Sequence, residues 1–193
     1  MFDVTRYAIA AQSIVDAGRF LYDRGWSPAT SSNYSARIDS DHVAITVSGR
    51  HKGQLAAGDV MVVDLNGNPV QSNCKSSAET LLHTVLYQVF PDAGAVLHTH
   101  SVKATVLSRL IPPGKSLELE GYELQKAFAG VTSHEGRLSI PVFDNTQDIP
   151  ALAEQTGEWF RAHPEQPGYL IRGHGLYTWG ATMADCLRHV EAF

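Results

Sequence analysis

Ala95-Val96-Leu97-His98-Thr99-His100-Ser101 joins three apolar residues to two histidines spaced two apart. An apolar run of this length that includes a β-branched residue predicts a short buried strand ending at the histidines. Side chains at i and i+2 of an extended chain project from the same face, so His98 and His100 can converge on one point. Neutral imidazole is the commonest nitrogen ligand for divalent transition metals, and two converging rings make half of a tetrahedral shell. The same spacing also occurs in ordinary hydrogen-bonded or surface histidine pairs, so HxH alone leaves both readings open. A third histidine lies far along the chain, in Arg172-Gly173-His174-Gly175, after the apolar run Tyr169-Leu170-Ile171. It too is placed at a strand end, and glycines on both sides let backbone approach a ligand closely. Three strand-end histidines with a fourth position open is the pattern of a catalytic rather than a structural zinc site.

Outward from these points the chain alternates helices with hairpin-linked strands. Asp3–Arg24 carries Tyr7, Ala11, Ile14, Val15, Gly18, Leu21 and Tyr22 on one helical stripe, closed by Gly25. A polar loop, 26–33, precedes a strand at 34–38, and composition favours plain connection for that loop, although such loops also present amides and hydroxyls to anions. The strand 43–47 leads into Ser48-Gly49-Arg50-His51-Lys52-Gly53, which offers both donors and positive charge for a phosphate. Asn66-Gly67 between two apolar runs predicts a hairpin. A helix is expected from about Lys75 to Phe90, and Ser76 and Glu79 have the spacing of a capping box. Its N-terminus could equally hold an anion, and the two readings can coexist. Glu123 reads as an ordinary solvated carboxylate. Pro141 within Ser139–Phe143 marks an edge or irregular strand. The alternation predicts an α/β (α+β-like) fold in a single domain spanning 1–193: a central, mostly antiparallel sheet with helices on both faces.

Bulk properties narrow the function. The net charge of −5 argues against a nucleic-acid partner. Two isolated cysteines, Cys74 and Cys186, and the lack of any apolar run near membrane-spanning length point to a cytoplasmic protein with no membrane partner.

The ordered set Thr30-x-Ser32-Asn33-x-Ser35-x-Arg37, Ser48-Gly49, Ser77-x-Glu79, His98-x-His100 and Arg172-x-His174-Gly175 resembles the class II aldolase/adducin-head superfamily over nearly the whole chain. Ser48-Gly49-x-x-Lys52, Glu123-x-x-Lys126 and His174-Gly175-x-Tyr177-x-Trp179-Gly180 look most like its dehydratase branch. The resemblance implies one zinc ion per subunit on His98, His100 and His174. It implies a sugar-phosphate substrate held at Asn33, Ser48, Gly49, Lys52 and Ser77. The implied reaction is dehydration of 5-methylthioribulose 1-phosphate in methionine salvage, within a homotetramer. In the dehydratases the acid/base glutamate matches Glu123, and in the aldolases it matches Glu79. This chain has both, and the resemblance favours Glu123. A sugar-phosphate aldolase or epimerase is the first alternative. A metal-free, adducin-like interaction module is the second, disfavoured because all three histidines and both glutamates are present. Ser32 stands where family aldolases commonly have Gly, and Ala78 where they have Ser or Thr.

Overall fold

A computed structural model describes residues 2–193. Helix α1 (Val4–Asp23) is capped by Asp3, whose carboxylate accepts from the amides of Thr5 and Arg6, and it ends before Gly25 at φ +71°. Strands β1 (Asn33–Arg37), β2 (His42–Thr46) and β3 (Val60–Asp64) follow, then α2 (Thr80–Val89), β4 (Ala95–Thr99) and α3 (Val102–Leu110). After β5 (Leu117–Leu119), β6 (Leu138–Ile140) and β7 (Val142–Phe143) come α4 (Ile149–Ala162), β8 (Gly168–Ile171), β9 (Gly175–Gly180) and α5 (Met183–Ala192).

Seven strands form one sheet in the order β3-β2-β1-β4-β9-β8-β7, and only the β7–β8 pair is parallel. The predicted HxH strand, β4, is its centre. Apolar side chains alternate between the faces: Leu97 packs with Ile14, Leu21 and Val190 of α1 and α5. Val96 packs on the other face with Leu82, Leu86, Leu152 and Phe160 of α2 and α4. The sheet is therefore covered by helices on both faces, as the alternation of elements requires.

Three local expectations are corrected. The α2 helix begins at Thr80, and Glu79, its N-cap residue, makes no capping hydrogen bond. The Ser76–Glu79 capping box does not form because tertiary partners engage the Glu79 carboxylate. The Asn66-Gly67 turn forms with Asp64 accepting from the amides of Asn66 and Asn68, but its second strand is reduced to a single bridge, Val63 to Pro69. Pro141 does more than irregularise one strand. It separates β6, which pairs with β5 in a small second sheet, from β7, which joins the main one.

Candidate active site

Strand register builds the site. Asn33 pairs with His98, and His98 with Tyr177, so these three residues lie side by side across β1, β4 and β9. The turn between β8 and β9 brings His174 to the same end of the sheet. Gly175 makes that possible: a Cβ there would collide with the Thr99 carbonyl and press on the His98 ring. His98, His100 and His174 each offer one ring nitrogen within 4.8 Å of the others, as a group that could hold a metal ion among the described residues.

The ring orientations suit ligation. His98 Nδ1 donates to the Leu176 carbonyl at 3.0 Å, which leaves Nε2 as the lone-pair nitrogen, 2.8 Å from His100 Nε2. Asn145 Oδ1 holds His174 Nδ1 at 3.2 Å and frees its Nε2. Burial favours the neutral form of two of them: His98 is lowered well below the usual range, and His100 is lowered to about 4 by burial and then by neighbouring His174. Neutral imidazoles are what a divalent cation needs.

Glu79 closes the constellation. Its Oε1 lies 3.0 Å from His174 Nε2 and its Oε2 3.4 Å from His98 Nε2. Oε2 also accepts from Asn33 Nδ2 at 2.6 Å and Tyr177 OH at 3.0 Å. Burial alone would push this carboxyl up, but His98, His174 and Asn33 outweigh it and hold the group well below the usual carboxylate range. Behind Asn33, His83 bonds the amide oxygen and passes the chain of contacts to Ser35 and Tyr87. Three nitrogens with an adjacent buried carboxylate form a donor set that fits a divalent transition metal.

The group opens into a cavity of about 500 Å³. Asn33, Ser48, Gly49, Lys52, Ser77 and Glu79 all line it, together with His100 and His174, while His98 is fully buried. Lys52 is almost wholly buried, and its ammonium donates to the Arg50 carbonyl at 2.6 Å. Gly18 of α1 lets that turn sit directly on the helix, since a Cβ there would strike the Lys52 carbonyl. Ser32 adopts φ +71°, the left-handed region that glycine occupies without penalty, and this costs about 1–2 kcal/mol. Its hydroxyl accepts from the His100 amide at 3.3 Å, which ties the loop to the histidine strand.

Glu123 lies elsewhere. It heads a 3₁₀ turn, is 67% exposed at the side chain, and pairs with Lys126 and with His134 at 3.1 Å. Within one chain it does not line the cavity. Sequence reading passed over Asn145 and His83, and it named Tyr177 only within the motif after His174, without a role. For His83 a signal existed, a polar residue four positions after Glu79 inside an apolar helical stripe. Asn145 carried none, and nothing local tied Tyr177 to Glu79, because loop path and cross-strand register alone bring them in.

A seven-stranded, mainly antiparallel sheet with helices on both faces, carrying a three-histidine, one-glutamate cluster at one end of its central strands, is the arrangement of a class II aldolase-type protein. The chain belongs to the class II aldolase and adducin N-terminal domain family, whose model matches residues 12–193. Within it, the chain is 84% identical to the methylthioribulose-1-phosphate dehydratase of Marinobacter nauticus over 193 residues, all of this chain and 93% of that one. It is 65% identical to the protein of the same name from Hahella chejuensis, over all of this chain and 92% of that one. Among solved structures, the l-fuculose-1-phosphate aldolase of Thermus thermophilus shares the fold, with TM-score 0.70 and 24% identity over 97% of this chain and 90% of that one. No helix among the described residues is long and apolar enough to cross a membrane.

Proposed function

We propose that this chain, as one catalytic domain over residues 1–193, dehydrates 5-methylthioribulose 1-phosphate to 5-methylthio-2,3-dioxopentyl phosphate in methionine salvage. The observation that carries this reading is the full-length likeness to proteins named for that activity, in a chain whose three histidines converge beside a sugar-phosphate-sized cavity. His98, His100 and His174 would hold one Zn²⁺ per subunit. When bound, the ion supplies Lewis-acid polarisation of the ketone and its neighbouring hydroxyl.

The rest is done by the chain. Ser48, Gly49, Lys52 and Ser77 grip the phosphate, and that remote binding energy holds the reacting carbons in place. Asn33, its amide committed on both sides, positions Glu79. A carboxylate removes the proton from C3, next to the ketone. The C4 hydroxyl leaves as water, with a proton returned to it, and the enol takes a proton at C4 to give the diketone. Glu79 has its Oε2 occupied by two donors and its Oε1 aimed at His174, which suits a fixed anion beside the ligands. We assign the proton shuttle to Glu123, delivered by a neighbouring copy in a homotetramer. Tyr122 and Leu124, which flank it, are 63% and 57% exposed, an apolar pair suited to being covered by another subunit. A cytoplasmic location belongs to the same proposal.

Product analysis tests the reaction. Zinc-loaded protein should convert the substrate to the diketone phosphate. Accumulation of glycerone phosphate and methylthioacetaldehyde would instead show C3–C4 cleavage and return the aldolase reading.

The phosphate grip has a pH signature. Burial lowers the Lys52 ammonium to about 8, so it is charged below that pH and loses its proton above it. KM should therefore rise as pH passes about 8, while Lys52→Met should show a high KM at every pH. A wild-type KM that is flat from pH 7 to 9 would remove Lys52 from the phosphate site.

A further inference from the structure

Next to the polar cavity lies a second one of about 510 Å³, sharing His100, His174 and Gln147 with it. The two hollows thus meet at the histidine cluster. Their linings differ in kind. The first is ringed by the Ser48 and Ser77 loops and Lys52, whereas the second is walled by Pro28 and by Val102 and Val106 of α3. Val102 and Val106 stand one helical turn apart on the same face, and they are 63% and 54% exposed. Hydrogen bonds fix this wall against the metal-site turn: Thr105 Oγ1 donates to the His174 carbonyl at 2.9 Å, and the Gly173 amide donates to Ser108 Oγ at 2.8 Å. An apolar pair held rigidly beside two candidate ligands, opposite an anion pocket, is shaped for a ligand that is ionic at one end and apolar at the other.

We infer that the hollow between Pro28, Val102 and Val106 is the subsite for the thioether end of the substrate, and that the two valines determine specificity for a 5-methylthio over a 5-hydroxy sugar phosphate. The inference rests on the reaction proposed above. A pentulose 1-phosphate held by its phosphate at the Ser48 loop, with its central carbons at the histidines, can reach this second hollow with its fifth carbon and sulfur, because the two hollows share His100 and His174. Covering Val102 and Val106 with a polarizable methylthio group removes apolar surface from water on both sides.

The test uses zinc-loaded protein and two carbonyl-free probes, 5-methylthioribitol 1-phosphate and ribitol 1-phosphate, which bind without reacting. Their dissociation constants are read by calorimetry. One apolar group in a pocket is worth roughly 10–200-fold, so wild type should prefer the methylthio probe by at least about tenfold. In Val102→Asn/Val106→Asn the preference should collapse toward unity through weaker binding of the methylthio probe alone, with ribitol 1-phosphate affinity unchanged. Because both valines lie on the surface of α3, the double variant should keep its circular dichroism and melting temperature. An unchanged preference, or equal weakening of both probes, overturns the subsite. So does a change in oligomeric mass with the preference intact, which would make the valine face a contact between copies. Failure of the reaction reading looks different: the methylthio preference is present and valine-dependent, yet 5-methylthioribulose 1-phosphate is bound and not dehydrated.

Discussion

Purified His174→Ala should retain only a small fraction of the metal that wild type carries, and its dehydration rate should fall below detection. Loss of an outer partner of a metal ligand costs roughly 10–100-fold in affinity, and removing a ligand itself exceeds that. His174 is the informative choice among the three. His98 is fully buried between β1 and β9 and stacked on Tyr177, so an alanine there also opens a cavity in the sheet. His174 lies in the β8–β9 turn with its side chain 18% exposed, so the fold should survive its loss, and circular dichroism checks that. Emission spectroscopy of the metal content, measured beside turnover, decides the matter. Full occupancy and rate in the variant would remove His174 from the ligand set.

Glu123→Gln should lower kcat by about 10²–10⁴-fold while the protein keeps its metal and its stability. The size of that effect is diagnostic. In one chain Glu123 is an exposed side chain in a short turn, and exposed substitutions usually change stability by less than about 0.5 kcal/mol. A large catalytic loss therefore requires that the turn be brought over another copy's cavity. Mixing Glu123→Gln with His174→Ala subunits should then restore part of the activity, because some interfaces pair an intact metal site with an intact Glu123. Glu79→Gln should behave differently. The amide cannot carry the negative charge that faces His98 and His174, so metal occupancy should fall along with turnover. If Glu79→Gln kept its metal but lost turnover, and Glu123→Gln ran at the wild-type rate, the proton shuttle would belong to Glu79.

Much of this architecture could be read from local pattern. The apolar run into His98-x-His100 specified a short buried strand because burial on both faces leaves no polar alternation. The glycines around His174 marked a turn that the backbone must make in a confined space, and Gly175 shows why no larger residue fits. The polar loops at Asn33, Ser48 and Ser77 line one cavity because Asn33 begins β1, Ser48 follows β2, and a bridge from Val47 to Ser76 brings the start of α2 beside them. Glu79 was misjudged for a physical reason. S-x-x-E spacing describes a local hydrogen bond, and here Asn33, Tyr177 and two histidines from distant strands compete for the same carboxylate and win.

By itself, then, the sequence determined which segments are strands and helices, which histidines stand at strand ends, and which loops carry donors and charge. Those properties depend on neighbours within a few residues, where side-chain periodicity and turn chemistry act. Tertiary structure alone decided that Asn33, His98 and Tyr177 form one row, that Asn145 orients His174, and that Glu79 faces the ligands rather than its own helix. These depend on cross-strand register and on contacts between residues 29 to 98 positions apart, where long-range packing takes over from local spacing.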